Sequence, residues 1–297
     1  MVLLKQPFVG LLACAAIVTG CATNTMTGRS QLTLFSEAAA AERSAGFYSS
    51  MVNDWSRKKK MVEGQAINAR VDHITNRLIQ QAVLYLPASA QWDWKVSVID
   101  YDKTVNAFCM PGGLMAIYTG MLKQLDATDD EIAQVMGHEI GHALAGHATE
   151  KMSVELAGSV GVLVVSSTLP KNNKDYQAIS AVMSVAALAF VNLPNSRVTE
   201  VEADRIGIEL AARAGYNPAA AFTLWQKMGA VDKSRDKFEF FSTHPAPERR
   251  RENLLALADP MIVLYEAAGT NAPAYDWLHG NKNSRPSVAT TGIPFYR

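Results

Sequence analysis

The stretch His138-Glu139-Ile140-Gly141-His142 places two imidazoles four residues apart, with a carboxylate directly after the first. On a helix, residues i and i+4 stack on one face about one turn apart. That is the spacing two imidazoles need to hold one tetrahedral zinc at about 2.0 to 2.1 Å each. Glu139 then lies beside the first ligand, where it reaches a water on the metal rather than the metal itself. The chemistry such a trio supports is metal-assisted hydrolysis with Glu139 as general base.

Two imidazoles do not complete a site of three protein ligands, so another donor must come from elsewhere in the chain. A metzincin carries a Gly and a third His at the third and sixth residues after the second ligand. Here those positions hold Ala145 and Ala148, and His147 is off by one. A thermolysin-like enzyme places its Glu roughly twenty residues on, a neighbourhood that reads Gly161-Val162-Leu163 in this chain. Further along comes "SRVTEVEADRIG" at 196–207, with Glu200 and Asp204 four apart. On a helix these two share a face, so Glu200 can ligate a metal while Asp204 accepts the far N–H of a ligand histidine and fixes its tautomer. The small Ala203 keeps two helices close. Taken alone, the same acids suit a solvated helix that also carries Glu202, Arg205 and Glu209; the upstream histidine pair favours the metal.

The H-E-x-x-H and E-x-x-A-D motifs, "NAFCMPGG" at 106–113 and "STHP" at 242–245 together resemble the M48 peptidases, the family of the Ste24 and HtpX proteases. The resemblance runs from about residue 36 to 257 and is densest over 104–147 and 196–247. Within the family it is to the soluble lipoprotein or periplasmic branch related to Oma1 and the BepA type, without a helical-repeat domain, since residues 258–297 are too few for an array. It implies an α+β, mostly helical, zincin-like fold with a small β-sheet packed on the active-site helix. It also implies one zinc per chain on His138, His142 and Glu200, with Asp204 behind a ligand. Asn106, Ala107 and Phe108 would form an edge strand that captures extended peptide through backbone hydrogen bonds. Oxyanion stabilisation needs another donor, for which His244 and Arg197 are the candidates. Two other readings of His244 stand: it blocks the metal's open position, or it caps the following helix or binds substrate. His147 reads as structural or as a residue behind a ligand, and His73 and His279 as surface residues.

The elements that must position these groups are legible as patterns. Ser36 is an N-cap for a first amphipathic helix, and Ile67, Val71, Ile74, Leu78 and Val83 predict a second over 65–86, stopped by Pro87. The period then changes to two: Trp92, Trp94, Val96 and Val98 predict a strand, followed by two short strands on either side of Pro111-Gly112-Gly113. Asp129, Asp130 and Glu131 open the helix that carries His138 and His142, where the macrodipole favours negative charge. Residues 154–193 read as an apolar helical hairpin near the active site, each arm short of the about 20 residues a membrane span needs. A membrane-embedded protease built on that hairpin is the minor alternative. After His244, "PERRRENLLALA" predicts one amphipathic helix.

The ends and the composition bound the setting. Residues 1–20 carry Lys5 and an apolar run from Phe8 to Val18, and read as a secretory signal. Val18-Thr19-Gly20-Cys21 resembles a bacterial lipobox, which makes Cys21 the lipidated residue and 21–35 a tether. Ala22 in place of Asp favours the outer membrane by resemblance to the sorting rule of enteric bacteria. The expected location is therefore the periplasmic face of a Gram-negative outer membrane, with residues 36–257 as the peptidase domain and 258–297 as a loosely structured extension. After cleavage only Cys21 and Cys109 remain, too few for a disulfide framework once Cys21 is lipidated, and Cys109 reads as a small buried side chain. The 297 residues are 48% hydrophobic and carry 28 basic and 28 acidic side chains, so no global charge recruits nucleic acid. The expected partners are the membrane, through the lipid, unfolded or misfolded envelope proteins as substrates, and outer-membrane assembly machinery. The competing reading is a non-catalytic, zinc-stabilised lipoprotein that acts as a chaperone or assembly factor for outer-membrane proteins. Glu139 argues against it, because a structural zinc closes its fourth position and needs no base.

Overall fold

The computed structural model describes residues 21–34, 36–168, 196–232, 239–244, 250–269 and 275–286. The expected signal segment 1–20 and the expected hairpin beyond residue 168 lie outside the described residues. The chain divides into two units, Met1–Ala39 with Gly146–Leu193, and Ala40–Ala145 with Pro194–Arg297.

In the first unit, part of the stretch read as a tether pairs with itself. Strands β1 (Cys21–Thr23) and β2 (Ser30–Leu32) run antiparallel, with Cys21 opposite Leu32. The physical cause is the turn: the Asn24 side-chain oxygen accepts from the Met26 and Thr27 amides, and Gly28 takes a left-handed φ of 71°. Arg29 then forks onto Glu150, with both N–O distances 2.6 Å. Glu150 lies on the helix His147–Thr168, and Ser153 of that helix accepts from the Leu34 amide at 2.9 Å. No helix among the described residues is long and apolar enough to cross a membrane.

The second unit carries the mostly helical α+β architecture. Helix α1 (Glu37–Arg57), capped by the Ser36 hydroxyl at the Ala39 amide, enters this unit from Ala40 on, and α2 (Gln65–Tyr85) follows. Strands β3 (Lys95–Ile99), β4 (Ala107–Met110) and β5 (Leu114–Tyr118) form one sheet in the order β3-β5-β4. β3 pairs with β5 in parallel and β4 with β5 antiparallel, so β4 is an edge. Gly112 and Gly113 take φ near +85° and +81° in the β4–β5 turn, and a Cβ on Gly113 would overlap the Trp94 ring. Trp94 is itself buried and donates its indole N–H to the Ser89 carbonyl at 2.9 Å.

β5 runs into a one-turn helix, α3 (Thr119–Lys123), and then into α4 (Asp129–Leu144). Thr128 and Glu131 close a reciprocal capping box at the start of α4, which holds two of its otherwise orphan amides. Ile132, Met136 and Ile140 of α4, Ile74 and Leu78 of α2, and Met115 and Ile117 of β5 are fully buried and make the core. Each such side chain contributes about 1.5 to 3 kcal/mol relative to exposure. With α5 naming the first unit's helix His147–Thr168, the chain continues as α6 (Arg197–Arg213), α7 (Ala220–Asp232), α8 (Glu239–Thr243) and α9 (Arg250–Ala268). α9 runs past the expected boundary at 257, because Leu254, Ala258, Met261 and Leu264 keep one buried stripe through exposed Pro260. Within the extension read as loose, Trp277 is buried and its indole N–H donates to Gln80 of α2.

The contact that matters most for the site is the crossing of α4 and α6. A Cβ on Gly207 would sit 2.6 Å from the His138 backbone nitrogen, and one on Gly137 would sit 2.8 Å from the Gly207 carbonyl. Gly141 meets Ala203 in the same way, with 2.9 Å to its carbonyl. Gly229 of α7, by contrast, has open space where a Cβ would go. Gly207→Ala is therefore expected to destabilise the fold by about 1 to 3 kcal/mol through overpacking. Gly229→Ala is expected to stabilise it by roughly 0.5 to 1 kcal/mol by restricting the unfolded chain. Urea midpoints of the two variants check this, and equal midpoints would contradict the close crossing.

Candidate metal centre

α4 turns His138 and His142 to one face, with their ring centroids 4.6 Å apart, and α6 brings Glu200 across from its first turn. Ser196 caps α6 by accepting from the Thr199 amide at 3.2 Å, which fixes where that turn begins. The Nε2 atoms of His138 and His142 are 3.1 Å apart, and Glu200 Oε1 lies 3.2 Å from His142 Nε2. His244, on the residue after α8, adds a third imidazole: its Nδ1 is 3.0 Å from Glu200 Oε1 and 3.4 Å from His138 Nε2. One donor atom from each of these four buried residues falls within 4.8 Å of the other three. Donors bonded to one tetrahedral zinc at about 2.0 to 2.1 Å stand about 3.3 Å from each other. The donor set and its spacing fit a metal ion.

The electrostatics fit as well. Burial opposes charge on His138, yet hydrogen bonds to Asp204 and Glu200, and their negative charges, lift its pKa to about 9. Burial likewise opposes ionisation of Glu200, but hydrogen bonds from His138, His142 and His244 hold it well below the usual carboxylate range. Burial, together with the His138 and His244 charges, holds the His142 imidazole well below its usual pKa, which keeps it in the neutral form a metal ligand needs. Asp204 Oδ1 accepts from His138 Nδ1 at 2.9 Å, leaving Nε2 directed at the other donors. Burial pushes the Glu139 carboxyl up, with partial relief from the His244 and His138 charges. Its Oε1 is buried and has no hydrogen-bond partner among the described residues, while His244 Nε2 stands 3.5 Å away.

The fold brings His138, Glu139, His142, Glu200, Asp204 and His244 together and leaves Arg197 out, exposed on the first turn of α6. His244 is held by a ring stack on Phe240, 4.5 Å between centroids, and by its amide donating to the Phe240 carbonyl. Asn106 precedes β4, whose residues Ala107 and Phe108 lie on the sheet edge, and α4 packs against that strand. Cys109 is buried, and burial together with the Glu139 charge raises its thiol pKa well above the usual value. His147 is buried at the start of α5 and is not one of the four converging groups. His73 is exposed, and His279 is exposed and paired with Asp72 at 3.2 Å.

Sequence reasoning missed Arg250. It is buried, donates to both Asp204 and Glu200, and stacks 3.9 Å from the centre of the Trp225 ring. In the sequence it stands inside the run Arg249-Arg250-Arg251, where nothing in residue type or spacing marks one arginine for burial. The signal available was its distance of six residues from His244, which puts it on the first turn of the next helix.

Comparison with known proteins agrees with this geometry. The chain is 31% identical over 264 residues to the mitochondrial metalloendopeptidase OMA1 of Homo sapiens, covering 86% of this chain and 49% of that protein. It is 31% identical over 157 residues to the metalloprotease LoiP of Escherichia coli, covering 51% of this chain and 58% of LoiP. It is 27% identical over 207 residues to a putative beta-barrel assembly-enhancing protease of Vibrio cholerae, covering 64% of this chain and 39% of that one. The chain therefore spans less than two thirds of the length of each of these relatives. The model of peptidase family M48 matches residues 65–258, which hold the sheet, α4, α6 and every residue of the converging cluster, and the chain belongs to that family of metallopeptidases.

Proposed function

We propose that the protein is a zinc-dependent endopeptidase that hydrolyses peptide bonds of misfolded or damaged cell-envelope proteins. The observation that carries this reading is the convergence of His138, His142 and Glu200 beside a buried Glu139 carboxylate oxygen that has no hydrogen-bond partner among the described residues. Two imidazoles and one carboxylate suit zinc among the common divalent ions. Zinc bound there would supply Lewis acidity toward the scissile carbonyl and toward an attacking water. Glu139, its pKa raised by burial, accepts the proton of that water and delivers it to the leaving amine. Asp204 holds His138 in the ligating tautomer, and an extended substrate would pair along the outer edge of β4 beside Asn106, Ala107 and Phe108, with the Asn106 carbonyl already accepting from the Tyr118 amide and the Ala107 amide donating to Asn106 Oδ1.

In this reading His244 would fill the position that three protein ligands leave open on a bound metal. Its Nδ1 lies among the ligand atoms, where it keeps the resting enzyme closed until substrate or a partner displaces it. Arg197 is exposed on the first turn of α6, outside the converging cluster, and the oxyanion role falls to His244 when substrate displaces it from the ligand atoms.

The setting is proposed from the N-terminal sequence. Cys21, exposed at the start of β1, is the lipid attachment residue, and the protein faces the periplasm from a Gram-negative outer membrane. Outer-membrane assembly machinery is the proposed partner, in line with the name of the Vibrio cholerae relative, a putative beta-barrel assembly-enhancing protease.

Three measurements test these statements. Glu139→Gln is expected to retain stoichiometric zinc while cleavage of unfolded casein falls by at least 100-fold, the low end for a lost general base. Zinc in both proteins with cleavage in neither would favour latency or the chaperone reading. His244→Ala is expected to raise resting cleavage several-fold, whereas unchanged or lower cleavage counts against the closed position. Metabolic labelling with a radioactive fatty acid is expected to mark the wild-type chain, and label that persists in Cys21→Ser would exclude the proposed anchor.

A further inference from the structure

Arg250 opens α9 and is 2% exposed, so its charge and its N–H groups must be paired inside the protein. Its Nε and Nη2 donate to the two oxygens of Asp204 at 2.9 and 2.7 Å, and its Nη1 donates to Glu200 Oε2 at 2.7 Å. The Trp225 ring covers the guanidinium, its centre 3.9 Å from the central carbon. One side chain thus grips both carboxylates that α6 turns toward the histidines.

The consequence is a division of labour between the two oxygens of Glu200. Oε2 accepts from Arg250 at 2.7 Å and stands 3.4 Å from His138 Nε2, while Oε1 faces His142 Nε2 at 3.2 Å and His244 Nδ1 at 3.0 Å, so the Arg250 bond ties up the oxygen that would otherwise be free to join Oε1 on a metal. The Asp204 oxygen that accepts from His138 is also the one that Arg250 Nη2 holds. We propose that Arg250 is a positioning residue that makes Glu200 a one-oxygen ligand and locks Asp204 behind His138, so that the coordination geometry is set before the metal arrives. The proposal rests on the zinc reading above.

Arginine is suited to this role and lysine is not, because a planar fork serves two carboxylates at once and an ammonium acts as a point donor. Charge is consistent with it. Glu139, Glu200 and Asp204 carry three negative charges when ionised, and Arg250 with one divalent ion balances them. An arginine that merely tied α9 to α6 would change stability when removed, but not how the metal is held.

The test compares the full chain with Arg250→Lys and Arg250→Met, reading zinc affinity by competition with a chromophoric chelator and the visible absorption of the Co2+-loaded proteins. Thermal melting of the metal-free proteins identifies any variant that has lost its fold. Both folded variants are expected to bind zinc about 10- to 100-fold more weakly and to show an altered Co2+ spectrum, with Lys giving no rescue. Wild-type affinity and an unchanged Co2+ spectrum in a folded variant would overturn the proposal. If neither variant folds, X-ray absorption at the zinc edge of the wild-type protein decides, since a one-oxygen carboxylate supports the role and a two-oxygen carboxylate overturns it. A wild-type chain that binds no zinc would overturn the zinc reading itself, and the role of Arg250 with it.

Discussion

Every group in the centre depends on how closely α4 and α6 cross. Imidazoles reach only a few ångströms from their helix, and a glutamate on a second helix can join them only if the two backbones nearly touch. Gly137, Gly141, Ala203 and Gly207 allow this, because at each glycine even a methyl group would run into the opposite backbone. The crossing in turn needs α4 held firmly from its other side. The Thr128–Glu131 capping box and the buried face of Ile132, Met136 and Ile140 against α2 and the sheet supply that support.

Close approach concentrates charge. Glu139, Glu200 and Asp204 are all buried within one small volume with three histidines and an arginine. Burial alone would discharge such acids, and for Glu139 it does push the pKa up. Glu200 escapes that fate because three imidazoles hydrogen-bond it, so the same burial yields two carboxylates of different character on facing helices. One is suited to holding a cation and the other to exchanging a proton. Arg250 and Trp225, from α9 and α7, complete the shell behind the donors and explain why helices distant in sequence must pack around the crossing.

What could be read in the sequence follows from which signals are local. The His138–His142 spacing, the Glu200–Asp204 spacing, the small Ala203 and the two strands beside Gly112-Gly113 are each encoded within a few residues and the fold places them so, whereas the strand read from Trp92 begins only at Lys95, because Trp92 and Trp94 belong to the connection that leads into it. The role of His244 was legible only as a set of alternatives, since its direction depends on Phe240 and on where α8 docks. Arg250 was invisible because burial of one arginine among three is a tertiary fact. The β1–β2 hairpin was missed for a similar reason: a polar stretch is ordered by an Asn24 turn and by an ion pair from Arg29 to Glu150 far along the chain. α9 outran its expected end because a stripe of buried side chains outweighed the hydrogen bond that Pro260 removes.

The central claim is that His138, His142 and Glu200 form one zinc centre. Crystals of the zinc-loaded protein, measured on both sides of the zinc absorption edge, test it most directly. The account predicts a single anomalous peak about 2.0 to 2.2 Å from His138 Nε2, His142 Nε2 and Glu200 Oε1. A peak bound elsewhere, or none between α4 and α6 in a protein that carries stoichiometric zinc, would contradict it.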